Sequence, residues 1–357
     1  MSSVYLHWAK TEAPAKYNLA SSAVAAVRLQ DLPVTLEDLE LKSAGTYGYL
    51  PLLEAIAARY GVSANCVVTA DGTSMANHLA MAALVSAQAG DEVLIEEPNY
   101  EALPALADYL GVQVRRFPRR EEDAFALDPA EVEKHLSGRT RLIVVTNLHN
   151  PTGAMANEDA LAELGNLARK TGAHVLVDEV YLDTAFDSSP STAFALGEEF
   201  IVTSSLTKAY GLGGLRCGWI LARPELARRI WKLNNLFGVD GVHLAQRVGV
   251  VCFRNLAELT RRARELLQRN WQLYDSFLAQ CPQLQCPAIR CGTISCPRLR
   301  TGSVERLCKI LTHQFDTSVV PGHFFGLPQH VRIGLGGESG MFAAGLDRLA
   351  AALKLID

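Results

Sequence analysis

One lysine, held between two short β-type runs, constrains this chain more than any other feature. Phe200-Ile201-Val202-Thr203 reads as a buried strand and Trp219-Ile220-Leu221 as the next. Between them lie two hydroxyls, Ser204 and Ser205, then Lys208, a turn rich in glycine (Gly211, Gly213, Gly214), and Arg216 eight residues after the lysine. A lysine beside a Gly-rich turn can simply be a solvated loop residue. Flanking strands argue instead for desolvation, which lowers a lysine pKa. A partly neutral amine is a nucleophile suited to a carbonyl.

The surrounding chain supplies candidate partners. Strand patterns at 92–96, 112–117, 141–146, 174–178, 200–204 and 217–222 alternate with helix patterns at 101–110, 129–136 and 158–171. This is the order of a mostly parallel sheet between helices. In such sheets ligands bind beyond the carboxyl ends of the strands. Polar residues gather there: Asn99-Tyr100 after the first strand, Asn147 to Gly153 after the third, Asp178 to Tyr181 after the fourth, and Ser205 and Lys208 after the fifth. An earlier strand, Val67-Val68-Thr69, leads through Gly72-Thr73-Ser74 into an apolar helix expected from about Met75. That turn is an anion site in outline: free N–H groups and a helix dipole converge on it.

Ser205 to Gly218 resembles the lysine motif of the class I/II aminotransferases, fold-type I enzymes that use pyridoxal phosphate. Every position of Ser-x-[Ser/Thr]-Lys-x-[Phe/Tyr]-Gly-Leu-x-Gly-Leu-Arg-x-Gly is filled. Asn150-Pro151-Thr152-Gly153 and Asp178-Glu179-Val180-Tyr181 precede it at the family's spacings, and Val331-Arg332-Ile333 follows Pro321-Gly322-His323-Phe324-Phe325-Gly326 as in the family. The resemblance runs from about Tyr47 to Arg332. It implies a large domain with a seven-stranded, mostly parallel sheet and a smaller α+β domain. We place an N-terminal arm at 1–35, read as irregular, the large domain at 36–235, and a linker helix with the small domain at 236–357.

The resemblance also implies roles. Lys208 carries the cofactor as a Schiff base and shuttles the substrate proton. Asp178 keeps the pyridine nitrogen protonated. Tyr181 and Asn150 bond the ring oxygen, Asn150 also serving the substrate, and Tyr100 stacks on the ring. Gly72, Thr73, Ser74, Ser205 and Arg216 hold the phosphate. Arg332 takes the substrate carboxylate in a two-bond clamp. A loop tyrosine, Tyr47 with Tyr49 as the second candidate, reaches the phosphate of a neighbouring subunit in a homodimer. That loop is short, and the family's helix arginine is Leu53 here. The arm also lacks the family's Gly-x-Pro-like substrate segment; Tyr17 to Ser22 is what stands there.

The expected reaction is amino-group transfer between an L-amino acid and a 2-oxo acid. A lyase, decarboxylase or cyclising synthase can use the same parts. A non-catalytic cofactor-binding sensor is a further alternative, but residues 1–35 are too few for an added DNA-binding domain. The formal charge of −4 gives no hint of nucleic acid or membrane. The first ten residues lack a signal-peptide pattern, so a cytoplasmic protein is expected. Cys281, Cys286, Cys291 and Cys296 recur every five residues. The odd separation of the last two sends them to opposite faces of a strand expected at 291–295, so reduced thiols are expected rather than a metal cluster. His149, His243 and His323 are read as structural. Gly211-x-Gly213 and Gly334-x-Gly336 both lack the third glycine of a dinucleotide fingerprint.

Overall fold

The computed structural model describes residues 3–43, 45–188 and 191–356. Seven strands form one sheet in the order Val67–Asp71, Cys217–Leu221, Phe200–Ser205, His174–Asp178, Thr140–Thr146, Glu92–Glu97 and Gln113–Pro118. Cys217–Leu221 runs antiparallel to both its neighbours, and the remaining pairs are parallel. This is the fold-type I architecture expected above.

The sheet is covered on both faces, which explains its near-continuous apolar strands. Side chains divide by the two-residue period. Ile143, Val145, Val175, Val177 and Val202 enter one core with Leu52, Ile56, Leu161 and Leu164. Leu142, Val144, Leu176 and Ile201 enter the other with Leu79, Met81 and Leu103. Helix 158–171 begins at its Asn157 cap and ends at Gly172 in the left-handed conformation.

A separate core joins the two ends of the chain. Leu19 and Val24 pack there with Leu267, Tyr274, Leu311, Ile333, Phe342 and Leu349. The long helix Leu256–Gln280 lines it and the last helix, Ser339–Leu353, crosses it. Tyr17–Asn18 pairs in parallel with Thr317–Ser318.

Three local expectations need correction. The arm is not irregular throughout: Val4–Thr11 forms a helix, α1, whose Ser3 cap accepts from the Leu6 N–H. Tyr5, Trp8 and Ala9 share its inner face, an i, i+3, i+4 spacing present in the sequence. The helix after the Gly72 turn starts at Gly72, three residues early, because Thr73 and Ser74 already turn with it. The strand at 291–295 reduces to Ile294–Ser295, since Gly292 sits at φ +83° and breaks the extended run. Cys281 and Cys296 are buried free thiols, and Cys286 and Cys291 are half-buried ones. Among the described residues no helix is long and apolar enough to cross a membrane.

Candidate active site

The carboxyl ends of the strands open into a cavity of about 660 Å³. Thr73, Ser74, Tyr100, Asn150, Asp178, Tyr181, Ser205, Lys208, Arg216 and Arg332 all line it. Gly72 lies directly beneath the Arg216 guanidinium. Tyr47 does not reach this cavity. The residue is 54% exposed, and its ring packs on Trp231, centroids 5.9 Å apart. Tyr49 is tied within its own chain: its hydroxyl accepts from Arg247 at 3.3 Å and its N–H donates to Gln246 at 2.7 Å.

Asp178 ends its strand 5% exposed. Its Oδ2 accepts from Asn77 Nδ2 at 2.8 Å and its Oδ1 from the Val180 N–H at 3.1 Å. Burial pushes this carboxyl up to about 6, although both hydrogen bonds oppose the shift. Among the described residues no cation stands within ion-pair range of it. A buried carboxylate in this state suits a protonated ring nitrogen. Lys208 keeps a partial opening to the cavity, and desolvation pushes its amine down to about 8. Its Nζ donates to Ser22 Oγ at 3.0 Å, and the Tyr181 hydroxyl donates to the same oxygen at 2.9 Å.

At the other end, helix 72–84 aims its first turn at the cavity. Its leading N–H groups have no partner within the helix. Thr73 donates to Ser205 Oγ at 2.8 Å. The Thr207 hydroxyl is buried without a partner. Arg216, at φ +55°, lies across the turn and donates to the Asp71 carbonyl at 3.1 Å. A Cβ on Gly72 would collide with that guanidinium, and one on Gly218 would meet the Gly72 backbone at 2.6 Å. Two glycines thus let an arginine and a helix start share one cup. Such a donor set fits a phosphate group.

Asn150 is held from beneath. Its N–H donates to Thr146 Oγ1 at 3.0 Å, and that hydroxyl donates to Glu96 at 2.7 Å. Glu96 is fully buried and paired with Arg119 at 2.9 Å. His149, fully buried beside it, bonds the Thr152 hydroxyl and the Pro98 carbonyl. Arg332 is 1% exposed and donates to Asn150 Oδ1 at 3.0 Å.

Sequence reasoning missed Tyr5, Ser22 and Asn77. Asn77 carried a signal: it stands four residues after Thr73, on the same face of an apolar helix. Ser22 lies in the stretch from Tyr17 to Ser22 that stands in place of the family's substrate segment, but nothing there singled it out. Tyr5 carried no signal for the site, since only the packing of the arm brings it in.

A desolvated lysine, a buried unpaired carboxylate beneath the same cavity and a phosphate cup at its end define a pyridoxal-phosphate enzyme of fold-type I. A sequence profile of the class I and II aminotransferases matches residues 16–352, and the chain belongs to that family. Its cofactor is pyridoxal 5′-phosphate. The capreomycidine synthase of Streptomyces vinaceus is 31% identical over 303 residues, 84% of this chain and 77% of that protein. A PLP-dependent aminotransferase from Streptococcus suis superposes with a TM-score of 0.92 at 24% identity, covering 99% of this chain and 97% of the other. The PLP-dependent cyclase OrfR superposes at 0.89 with 26% identity and the same coverages.

Proposed function

We propose that this enzyme transfers the amino group of an L-amino acid to a 2-oxo acid. The observation carrying the reading is the state of Lys208. Its amine opens onto the cavity and is pushed down to about 8, a proton affinity that suits a shuttle near neutral pH. Moving a proton from Cα to the cofactor carbon needs one such shuttle. Bound pyridoxal phosphate supplies the electron sink. Asp178 keeps that sink charged, and Arg332 with Asn150 fixes the amino acid by its carboxylate. Tyr181 and Ser22 hold the amine of Lys208 in line.

The same reading makes the working unit a homodimer. Ser74 and Arg216, on the phosphate side, are the exposed members of the set, while Asp178 and Arg332 are buried. Tyr47, left outside its own cavity, is proposed to close the phosphate side of a second copy.

A cyclising synthase is the second reading. It is favoured by the likeness to the capreomycidine synthase and to OrfR, each matching over most of its length. The two readings part on product. Purified protein mixed with single amino acids should release one equivalent of 2-oxo acid and leave the cofactor in its amine form. Turnover without 2-oxo acid, giving a ring-closed amino acid instead, selects the second reading.

A further inference from the structure

The Arg332 guanidinium is already engaged on the side where a carboxylate has to enter. Nη1 donates to Asn150 Oδ1 at 3.0 Å. Nη2 donates twice, to the Tyr5 hydroxyl at 2.7 Å and to the Ala20 carbonyl at 3.1 Å. Nε is buried without an acceptor. A guanidinium carries five N–H donors in a fixed fork. Its two carboxylate-sized forks, Nε with Nη2 and Nη1 with Nη2, share Nη2. Both protons of Nη2 are taken, so a carboxylate entering either fork must displace an acceptor.

The two acceptors differ in how firmly they are held. The Ala20 carbonyl belongs to backbone fixed on both sides. Ala20 and Ser21 donate to Asn18 Oδ1, Leu19 donates to Ser318, and Gly334 donates back to Leu19. The Tyr5 hydroxyl rides on helix α1, eight residues long, whose outer face includes the exposed Val4, His7 and Lys10. Tyr5 is the buried residue of this helix, and its ring packs among Trp8, Tyr100, Phe324 and Phe325, so α1 is held by side chains and not by a strand ladder.

We propose that the Tyr5 hydroxyl is an internal stand-in for the substrate carboxylate, and that α1 is the strap that withdraws it. The proposal rests on the reading of Arg332 as the carboxylate anchor. The orphaned Nε, which shares a fork with Nη2, is the donor that the incoming carboxylate would satisfy. The strap has its own latch. The Glu101 carboxylate accepts the Val4 N–H at 2.9 Å, the Tyr5 N–H at 3.1 Å and the Ser3 hydroxyl, a negative charge at a helix N-terminus. Glu101 follows Tyr100, whose ring meets Tyr5 edge-on at 5.8 Å, so latch and site wall share one turn. Substrate entry thus exchanges one oxygen for another on Arg332, and its cost is set by how tightly Glu101 holds α1.

Acetate tests this on the holoenzyme, because it has a carboxylate and no side chain to be selected. Its binding is read from the cofactor's visible absorbance. Tyr5→Phe should bind acetate about tenfold more tightly than the parent, the size of one hydrogen bond to a charged donor. In an Arg332→Leu background, where acetate binding is weak, Tyr5→Phe should change nothing. Glu101→Ala leaves Tyr5 intact but frees the strap. It should strengthen acetate binding and speed tryptic cutting after Lys10, and acetate should speed that cutting in the parent. Equal or weaker binding in Tyr5→Phe, with Arg332→Leu still defective, overturns the stand-in and leaves the anchor in place. Parent-like acetate binding by Arg332→Leu overturns the anchor reading and the proposal with it.

Discussion

The Lys208 amine and the Ser22 hydroxyl stand 3.0 Å apart, and the Tyr181 hydroxyl donates to the same Ser22 oxygen at 2.9 Å. Ser22 is 7% exposed, and its own carbonyl accepts from Thr293 at 2.9 Å. A residue from the N-terminal arm, anchored on the C-terminal part, therefore sets the direction of the proposed proton shuttle. Ser22→Ala should lower turnover about tenfold, the worth of roughly one net hydrogen bond in the transition state. Cofactor affinity should change little. Parent-like turnover in Ser22→Ala would show that the amine is positioned without it.

Lys208 is expected to hold the cofactor covalently. Borohydride reduction of the holoenzyme followed by peptide mapping should place the label on Lys208. A label on another lysine would remove Lys208 from the centre of the site.

Asp178→Asn should retain pyridoxal phosphate and lose most turnover, because the carboxylate's charge is proposed to keep the ring nitrogen protonated. Asn77→Ala should act in the same direction and less severely. Asn77 supports the charged carboxylate through its 2.8 Å bond, and its own amide oxygen is fixed by Thr203 at 2.6 Å. Turnover of Asp178→Asn within a few-fold of the parent would contradict this role.

Glu179 offers a pH test away from the cofactor. Burial raises its carboxyl from 4.5 to about 8, against bonds from Thr192 and the Ala193 N–H. The folded protein then holds a proton that the unfolded chain has lost between those values. This contribution to stability is full below pH 4.5 and declines as pH rises toward 8. Each pKa unit of difference corresponds to about 1.4 kcal/mol. Glu179→Gln keeps the shape without the titration, so its melting temperature should fall less across that window. Parallel pH profiles for parent and variant would rule the raised pKa out.

The proposed homodimer predicts complementation. Lys208→Ala and Tyr47→Phe should each be weakly active alone. Mixed and allowed to exchange, they should recover part of the activity, because one site per mixed dimer has both native residues. A monomer with full activity in sedimentation would exclude the shared site. No recovery in a proven dimer would reject Tyr47 and turn attention to Tyr49.

The lysine stretch, the four polar strand ends and the Gly72 turn were legible because each is local. A short continuous apolar run marks a strand buried on both faces, and a chain that alternates such strands with helices puts their carboxyl ends on one side of the sheet. Order along the chain was therefore enough to gather Tyr100, Asn150, Asp178 and Lys208, whereas Arg332, on a strand of another sheet, was reached only through the family's motif. The arm was different. Tyr17–Asn18 finds its partner in Thr317–Ser318, at the far end of the chain, which sets Ser22 beside Lys208, while Glu101 and Tyr100 hold Tyr5 at Arg332. Contacts at such separation leave no periodicity in sequence. They follow from which apolar faces remain to be buried once the sheet is covered, and only the folded chain decides that. Local hydrogen-bonding and steric rules thus fixed the elements and their chemistry. The closing of two distant segments over one core decided which oxygens those charged groups meet.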